Sequence, residues 1–344
     1  PPTNGKWGTD IKALELIDHD RTDPYDPDGR PRRLMVSVIH PTLPMKKCHP
    51  NNTIPYAPTS ILDVLISAFE LLDVTNISDK VHQLALPTCP LPPSERQPRK
   101  STFPTLLFSP GLHGSRFLSL SQAQSIASQG YTIILLDHTY DTAILEFPDG
   151  TIISAQNFTT VEELDDLVRV RARDVSFVIN QLENSHSPLH RIFPKPHDRG
   201  IGIYGHSLGG ATAILASHRD PRITAIVDLD GFPYGFHTTG TWEDPVFNLP
   251  VHLDSPPILL FANMTLSFGP IWDVFTGWKK RLALEGGSHM AFTDVPLLVY
   301  VLELREQLPE GVLELVGEIE GFRARDAVGE YVVAFFDRFL KGRD

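Results

Sequence analysis

Ser207 stands between two glycines, in Gly205-His206-Ser207-Leu208-Gly209, where an apolar run ends and a helical pattern begins. Two readings fit a serine in that setting. Either the glycines permit a tight turn and Ser207 caps the helix, or the turn is forced so that the hydroxyl stands exposed to attack a carbonyl. The string G-x-S-x-G is short enough to arise by chance. Its surroundings, the strand pattern "GIGIYG" before it and the helix pattern "LGGATAILAS" after it, are those a nucleophilic serine requires. A helix that starts there also turns N–H groups and a partial positive charge toward the reaction centre.

A serine hydroxyl needs a base, and the base needs a carboxylate to orient it. After such an elbow the acid and then the histidine follow in chain order. The histidines downstream are His218, His237, His252 and His289. His218 closes the helix that Ser207 opens, and His237 and His252 fall in a Gly/Pro-rich excursion. His289, in "EGGSHMAF", follows the last strand pattern, at the sheet edge where Ser207 also emerges, and is the candidate base. The loop that would ordinarily carry the acid reads "ANMTLSFGPIW", with no carboxylate before Asp273. The preceding strand pattern ends "VDLDGFPYG", so Asp230 is the candidate acid ahead of Asp228, Asp254 and Asp273. A tetrahedral intermediate further needs N–H donors for its oxyanion. Leu208, next after the serine, supplies one. The loop "PGLHGSRF" (110–117) supplies the other from Leu112 or His113, with Leu112 preferred.

These groups are separated in sequence, so a framework must gather them. From residue 103 onward strand and helix patterns alternate: strands at 104–109, 131–137, 200–205, 222–230, 256–262 and 280–286, helices at 119–130, 160–184, 208–217 and 329–342. Continuous apolar strands in a β–α alternation predict a mostly parallel sheet with helices on both faces. Before residue 100 the pattern is different. "IKALELID" and "RLMVSVIH" read as strands joined by the turn-rich "RTDPYDPDGRPRR". Proline-rich stretches then frame a helix at 59–73, whose apolar stripe either packs on the core or walls an acyl pocket. The expected organisation is one domain over 1–344 with a Pro-rich cap or loop insertion at 41–100.

The segments "FSPGLHGSR", "DHTYD", "YGHSLGGAT", "LDGFPYG" and "GGSHMAFTD", in this order and at these separations, resemble the platelet-activating-factor acetylhydrolases, most closely their microbial, lipase-like relatives. The opening "DHDRTDPYDPDGRPRRLMVSVIHPT" is similar to the N-terminal region of those relatives. The resemblance covers most of 8–341 and implies an α/β-hydrolase fold. By position it assigns Ser207 as nucleophile, Asp230 as acid, His289 as base, and Leu112 and Leu208 as oxyanion amides. It also implies no metal and no organic cofactor, and cleavage of short or oxidised acyl chains from glycerophospholipids and other esters. The chain departs from the family pattern in the long insertion before residue 100 and in an extended loop at 232–255.

Composition narrows the class further. With 344 residues, 41% hydrophobic and 21% charged, the chain can bury a sizeable core. A net charge of −12 argues against a nucleic-acid partner and against electrostatic docking on anionic lipid, while leaving room for apolar contact with lipid aggregates. No apolar run approaches the roughly 18 residues of a membrane span. The chain opens on Pro1-Pro2 and carries two cysteines, Cys48 and Cys89, and four N-x-[ST] sequons, at Asn51, Asn76, Asn157 and Asn263. Together these predict a processed, secreted glycoprotein with one disulfide. The expected activity is a serine carboxylic-ester hydrolase acting on a small-molecule or lipid ester. An acyltransferase with the same acyl-enzyme, and a binding module that has lost catalysis, are the alternatives.

Overall fold

The computed structural model describes residues 3–49, 52–91, 103–193, 200–241, 244–263 and 269–343. The sequon residue Asn51 lies outside them.

The chain begins with the hairpin read from the sequence, β1 (Trp7–Thr22) antiparallel to β2 (Pro31–Pro44). The Pro-rich segment set apart at 41–100 begins inside β2 rather than after it. Its β3 (Thr53–Pro55) and β4 (Ala85–Pro87) pair across α1 (Thr59–Glu70) and α2 (Ser78–His82). Cys48 and Cys89 are bridged, with Cα atoms 5.3 Å apart, which ties these two points of the segment together beside β1. Gly8 makes room for the bridge: a Cβ there would lie 2.0 Å from the Cys48 sulfur. Closing a loop of this length contributes about 4 kcal/mol in the chain-entropy model. The α1 stripe packs on the core through buried Leu62 and Ile66, and none of its residues lines the cavity at Ser207.

The alternating part then runs β5 (Thr105–Ser109), α3 (Leu120–Ser128), β6 (Thr132–His138), a small hairpin of β7 (Ile144–Glu146) and β8 (Ile152–Ser154), α4 (Val161–Glu183) and α5 (Pro188–Ile192). It continues with β9 (Ile201–His206), α6 (Leu208–Arg219) and β10 (Ile223–Leu229), then a second hairpin of β11 (Thr238–Gly240) and β12 (Pro245–Phe247). β13 (Ile258–Asn263), α7 (Gly269–Trp272), β14 (Lys279–Leu284), α8 (Val295–Val301), α9 (Glu310–Val316) and α10 (Gly321–Leu340) complete it. Eight strands join in one sheet of order β1-β2-β6-β5-β9-β10-β13-β14, parallel from β6 to β14.

Both faces of the central strands are covered, which is why β5, β6, β9 and β10 are apolar without alternation. On β6, Ile134 and Leu136 enter the cluster under α4 and α6. Ile133 and Leu135 enter the cluster under α3 and α10. A capping box starts α4, with Thr160 and Glu163 bonding each other's backbone N–H. The terminal helix starts at Gly321 rather than 329, because the Glu320 carboxylate accepts from the Phe322 and Arg323 N–H groups. Gly329 lies inside it, where it faces Ile126 of α3.

Candidate active site

β9 ends at His206 and α6 starts at Leu208, which leaves Ser207 alone at the turn with φ 55° and ψ −122°. A non-glycine residue held there costs on the order of 1–3 kcal/mol. The flanking glycines are sterically required. A Cβ on Gly205 would lie 2.1 Å from the Gly209 carbonyl oxygen, and one on Gly209 would lie 1.9 Å from that of Ser109. Ser207 N–H donates to the Leu229 carbonyl at 2.8 Å, tying the elbow to the neighbouring strand.

Asp230 follows directly on β10, also at positive φ (59°). Its carboxylate is buried and takes three N–H donors. Oδ1 accepts from Asn263 N–H at 2.8 Å, and Oδ2 accepts from Asn263 Nδ2 at 2.9 Å and from His289 Nδ1 at 2.6 Å. A carboxylate that only accepts places the imidazole proton on Nδ1 and leaves Nε2 free to act as a base. Asn263 ends β13, at the head of the loop that ordinarily carries the acid. The carboxylate stands one strand nearer the elbow, and Asn263 braces it from the vacated place.

Ser207 and His289 line one cavity of about 270 Å3, together with Leu112, His113, Leu118 and Met290. The Ser207 hydroxyl is not hydrogen-bonded to His289 in the described structure, an arrangement common before substrate arrives. Neither Leu112 N–H nor Leu208 N–H donates to a described residue. His113 N–H does, to Asp141 Oδ1 at 3.2 Å. Of the two loop amides considered, Leu112 is the one left unengaged.

His206 contributes in a way the sequence did not signal. Its Nε2 donates to the His289 carbonyl at 2.9 Å, and the two rings lie 4.6 Å apart. Burial, and then the neighbouring His289, push His206 down to about 3, so it stays neutral and latches the base loop to the elbow. Asp294, just past that loop, accepts from the Ser121 and Gln122 N–H groups at the start of α3 and from the Tyr56 hydroxyl.

The remaining candidates lie elsewhere. Asp254, Asp273, His237 and His252 are exposed, and the His218 ring packs near Phe236. Ser109, His138 and Asp174 also form a hydrogen-bonded Ser-His-Asp chain, but all three are fully buried, with no surface for a substrate. Among the described residues no cluster of His, Cys, Asp and Glu is arranged as a metal site, and no helix is long and apolar enough to cross a membrane.

Asp228 is buried beneath the elbow, where Oδ1 accepts from Gly231 N–H and Oδ2 has no partner. Burial, and then the charge of Asp230, raise it well above the carboxylate range, so it is neutral in the folded protein. The unfolded chain releases that proton above pH about 4. Asp228 therefore lowers stability by about 1.4 kcal/mol per pH unit from there up to its folded pKa. Asp228→Asn is expected to flatten the decline that begins above pH about 4 and to leave turnover close to wild type. Urea denaturation over a pH series from there upward checks it, and an unchanged slope would contradict it.

Comparison with known proteins places this geometry. The chain is 30% identical, over all of its length and 89% of the other protein's, to a probable 1-alkyl-2-acetylglycerophosphocholine esterase of Arthroderma benhamiae. It belongs to the platelet-activating-factor acetylhydrolase-like family of α/β-hydrolases. The platelet-activating factor acetylhydrolase of Cavia porcellus is 22% identical over 79% of this chain and 66% of that protein. A solved ferulic acid esterase from Streptomyces cinnamoneus superposes with a TM-score of 0.78 at 29% identity, covering 99% of this chain and 93% of that one. No family model matches the chain. Like other members of this acetylhydrolase-like family, the chain is a carboxylic ester hydrolase.

Proposed function

We propose that Ser207, His289 and Asp230 form a catalytic triad that cleaves short-acyl esters, glycerophospholipids among them, through an acyl-enzyme. Ser207 Oγ attacks the ester carbonyl while His289 Nε2 takes its proton. The oxyanion is held by Leu112 N–H and Leu208 N–H. As the tetrahedral intermediate collapses, the C–O bond to the alcohol breaks and His289 returns the proton to the leaving oxygen. Water, deprotonated by the same imidazole, then releases the acid and restores Ser207. Asp230 holds the imidazole in the required tautomer throughout. One observation carries this reading: the histidine that Asp230 holds lines the same cavity as Ser207 on its strained turn.

The substrate class follows from the cavity and from the names of the relatives. At about 270 Å3 the cavity lies at the small end of ligand pockets, which suits a short acyl group over a long one. The Cys48–Cys89 bridge supports a secreted chain, since such bonds persist in oxidising compartments. The exposed Asn76 and Asn157 are its glycan acceptors. Residues 1–344 act as one domain, with 41–100 as an insertion on the common core.

The test is a rate profile across p-nitrophenyl esters of rising chain length beside a short-acyl phospholipid, with fluorophosphonate labelling of the intact protein. Labelling at Ser207 and rates that fall with chain length are expected. Labelling without hydrolysis, with the acyl group passed to added alcohols, would assign acyl transfer instead. Absence of labelling would remove the serine mechanism.

A further inference from the structure

We propose that the buried Arg171–Asp141 pair is a clamp that aims the oxyanion loop. It is a positioning device, and it rests on the hydrolase reading above. Residues 110–114 belong to no helix or strand, so no ladder fixes their peptide planes. Arg171, fully buried on α4, fixes them from behind. Its Nε donates to Asp141 Oδ2, its Nη1 to the Pro110 carbonyl at 2.6 Å and its Nη2 to the Gly111 carbonyl at 3.0 Å.

In a trans peptide the C=O of one residue and the N–H of the next point in opposite directions. No peptide in the described structure is cis. Drawing the Gly111 carbonyl toward α4 therefore turns Leu112 N–H away from α4. Ser207 lies beside this peptide: its Cβ would be 3.3 Å from a Cβ on Gly111, and Leu112 and Ser207 line the same cavity. The other half of the pair handles the next amide. Asp141 Oδ1 takes His113 N–H and so keeps it from competing for the oxyanion. The same bond supports the positive φ of His113 (59°), in a turn closed by Gly114 N–H on the Gly111 carbonyl at 3.0 Å. A planar fork is needed, because one side chain must reach two successive carbonyls and a carboxylate at fixed angles. Lysine offers a charge there without the geometry.

The test compares Arg171→Lys with wild type on p-nitrophenyl acetate and on its thiono analogue, whose sulfur accepts hydrogen bonds poorly. A misaimed amide harms the oxygen ester selectively. The expected result is a fall in kcat of about 10²-fold on the oxygen ester, the scale of losing one oxyanion donor. KM should change little and the thiono ester should be nearly unaffected. Should Arg171→Lys fail to fold, as a thermal melt would reveal, Asp141→Asn is the second variant. It keeps the side-chain shape, and a selective fall of about tenfold is expected of it. Equal losses on both esters, or none, would overturn the clamp and reduce the pair to a structural role. Wild-type protein inert toward both esters, or activity surviving Ser207→Ala, would instead overturn the hydrolase reading.

Discussion

Ser207→Ala is expected to lower turnover of a p-nitrophenyl ester by about 10⁶-fold and to abolish fluorophosphonate labelling, with the melting temperature close to wild type. Only the hydroxyl is removed. Alanine carries the same Cβ through the same left-handed turn, so the strain at φ 55° is neither relieved nor increased. Because attack requires the alcohol and the imidazole together, His289→Ala should fall equally far. The double variant should fall no further than either single one, since two groups that act as a unit are lost only once. The residual rate belongs to binding and to the amides of Leu112 and Leu208. Steady-state kinetics on the three variants checks this. A rate for His289→Ala within about a hundredfold of wild type would mean that another group takes the proton.

Asp230→Asn is expected to cost about 10⁴-fold in kcat, with little change in KM. The reason lies in the three donors that converge on this carboxylate. With the amide oxygen at the Oδ2 position, the new NH₂ faces Asn263 N–H. With the amide reversed, it faces both Asn263 Nδ2 and His289 Nδ1. Neither orientation satisfies the site, and the second drives the imidazole proton onto Nε2, where it blocks the base. Asp228→Asn provides the contrast, because Asp228 is already neutral and bonds only Gly231. Near-full activity in Asp230→Asn beside a collapse in Asp228→Asn would exchange the two roles.

Much of the framework could be read from the sequence because its signals are local. The apolar strands, the glycines around Ser207 and the helix patterns each follow from neighbours in the chain. Asp230 could be singled out as the candidate acid because the usual loop has no carboxylate before Asp273 and the adjoining strand end does. What could not be read depends on contacts between distant segments. Asn263 looks like a polar strand end until β13 lies beside β10. His206 looks like a filler of the motif until the base loop folds over it. Arg171 and Asp174 did leave a trace, as charges on the buried stripe of α4 whose other members include Leu164, Leu167, Val168 and Val175. Charge on a buried face marks a network, but the partners are supplied only by the fold. The small hairpins β7–β8 and β11–β12 and the helices α8 and α9 are too short for periodicity to reveal.

The amide nitrogen that Asn263 lends to Asp230 is also the atom to which an oligosaccharide would be joined, for Asn263-Met264-Thr265 is an acceptor triplet. Attachment of sugar to the nascent chain would spend that nitrogen before folding could engage it, and the brace behind the imidazole would be missing. The choice of expression host thereby becomes a variable in any assay of this enzyme. Material from bacteria and material from a eukaryotic secretory line are best weighed by mass spectrometry at this asparagine before their rates are compared.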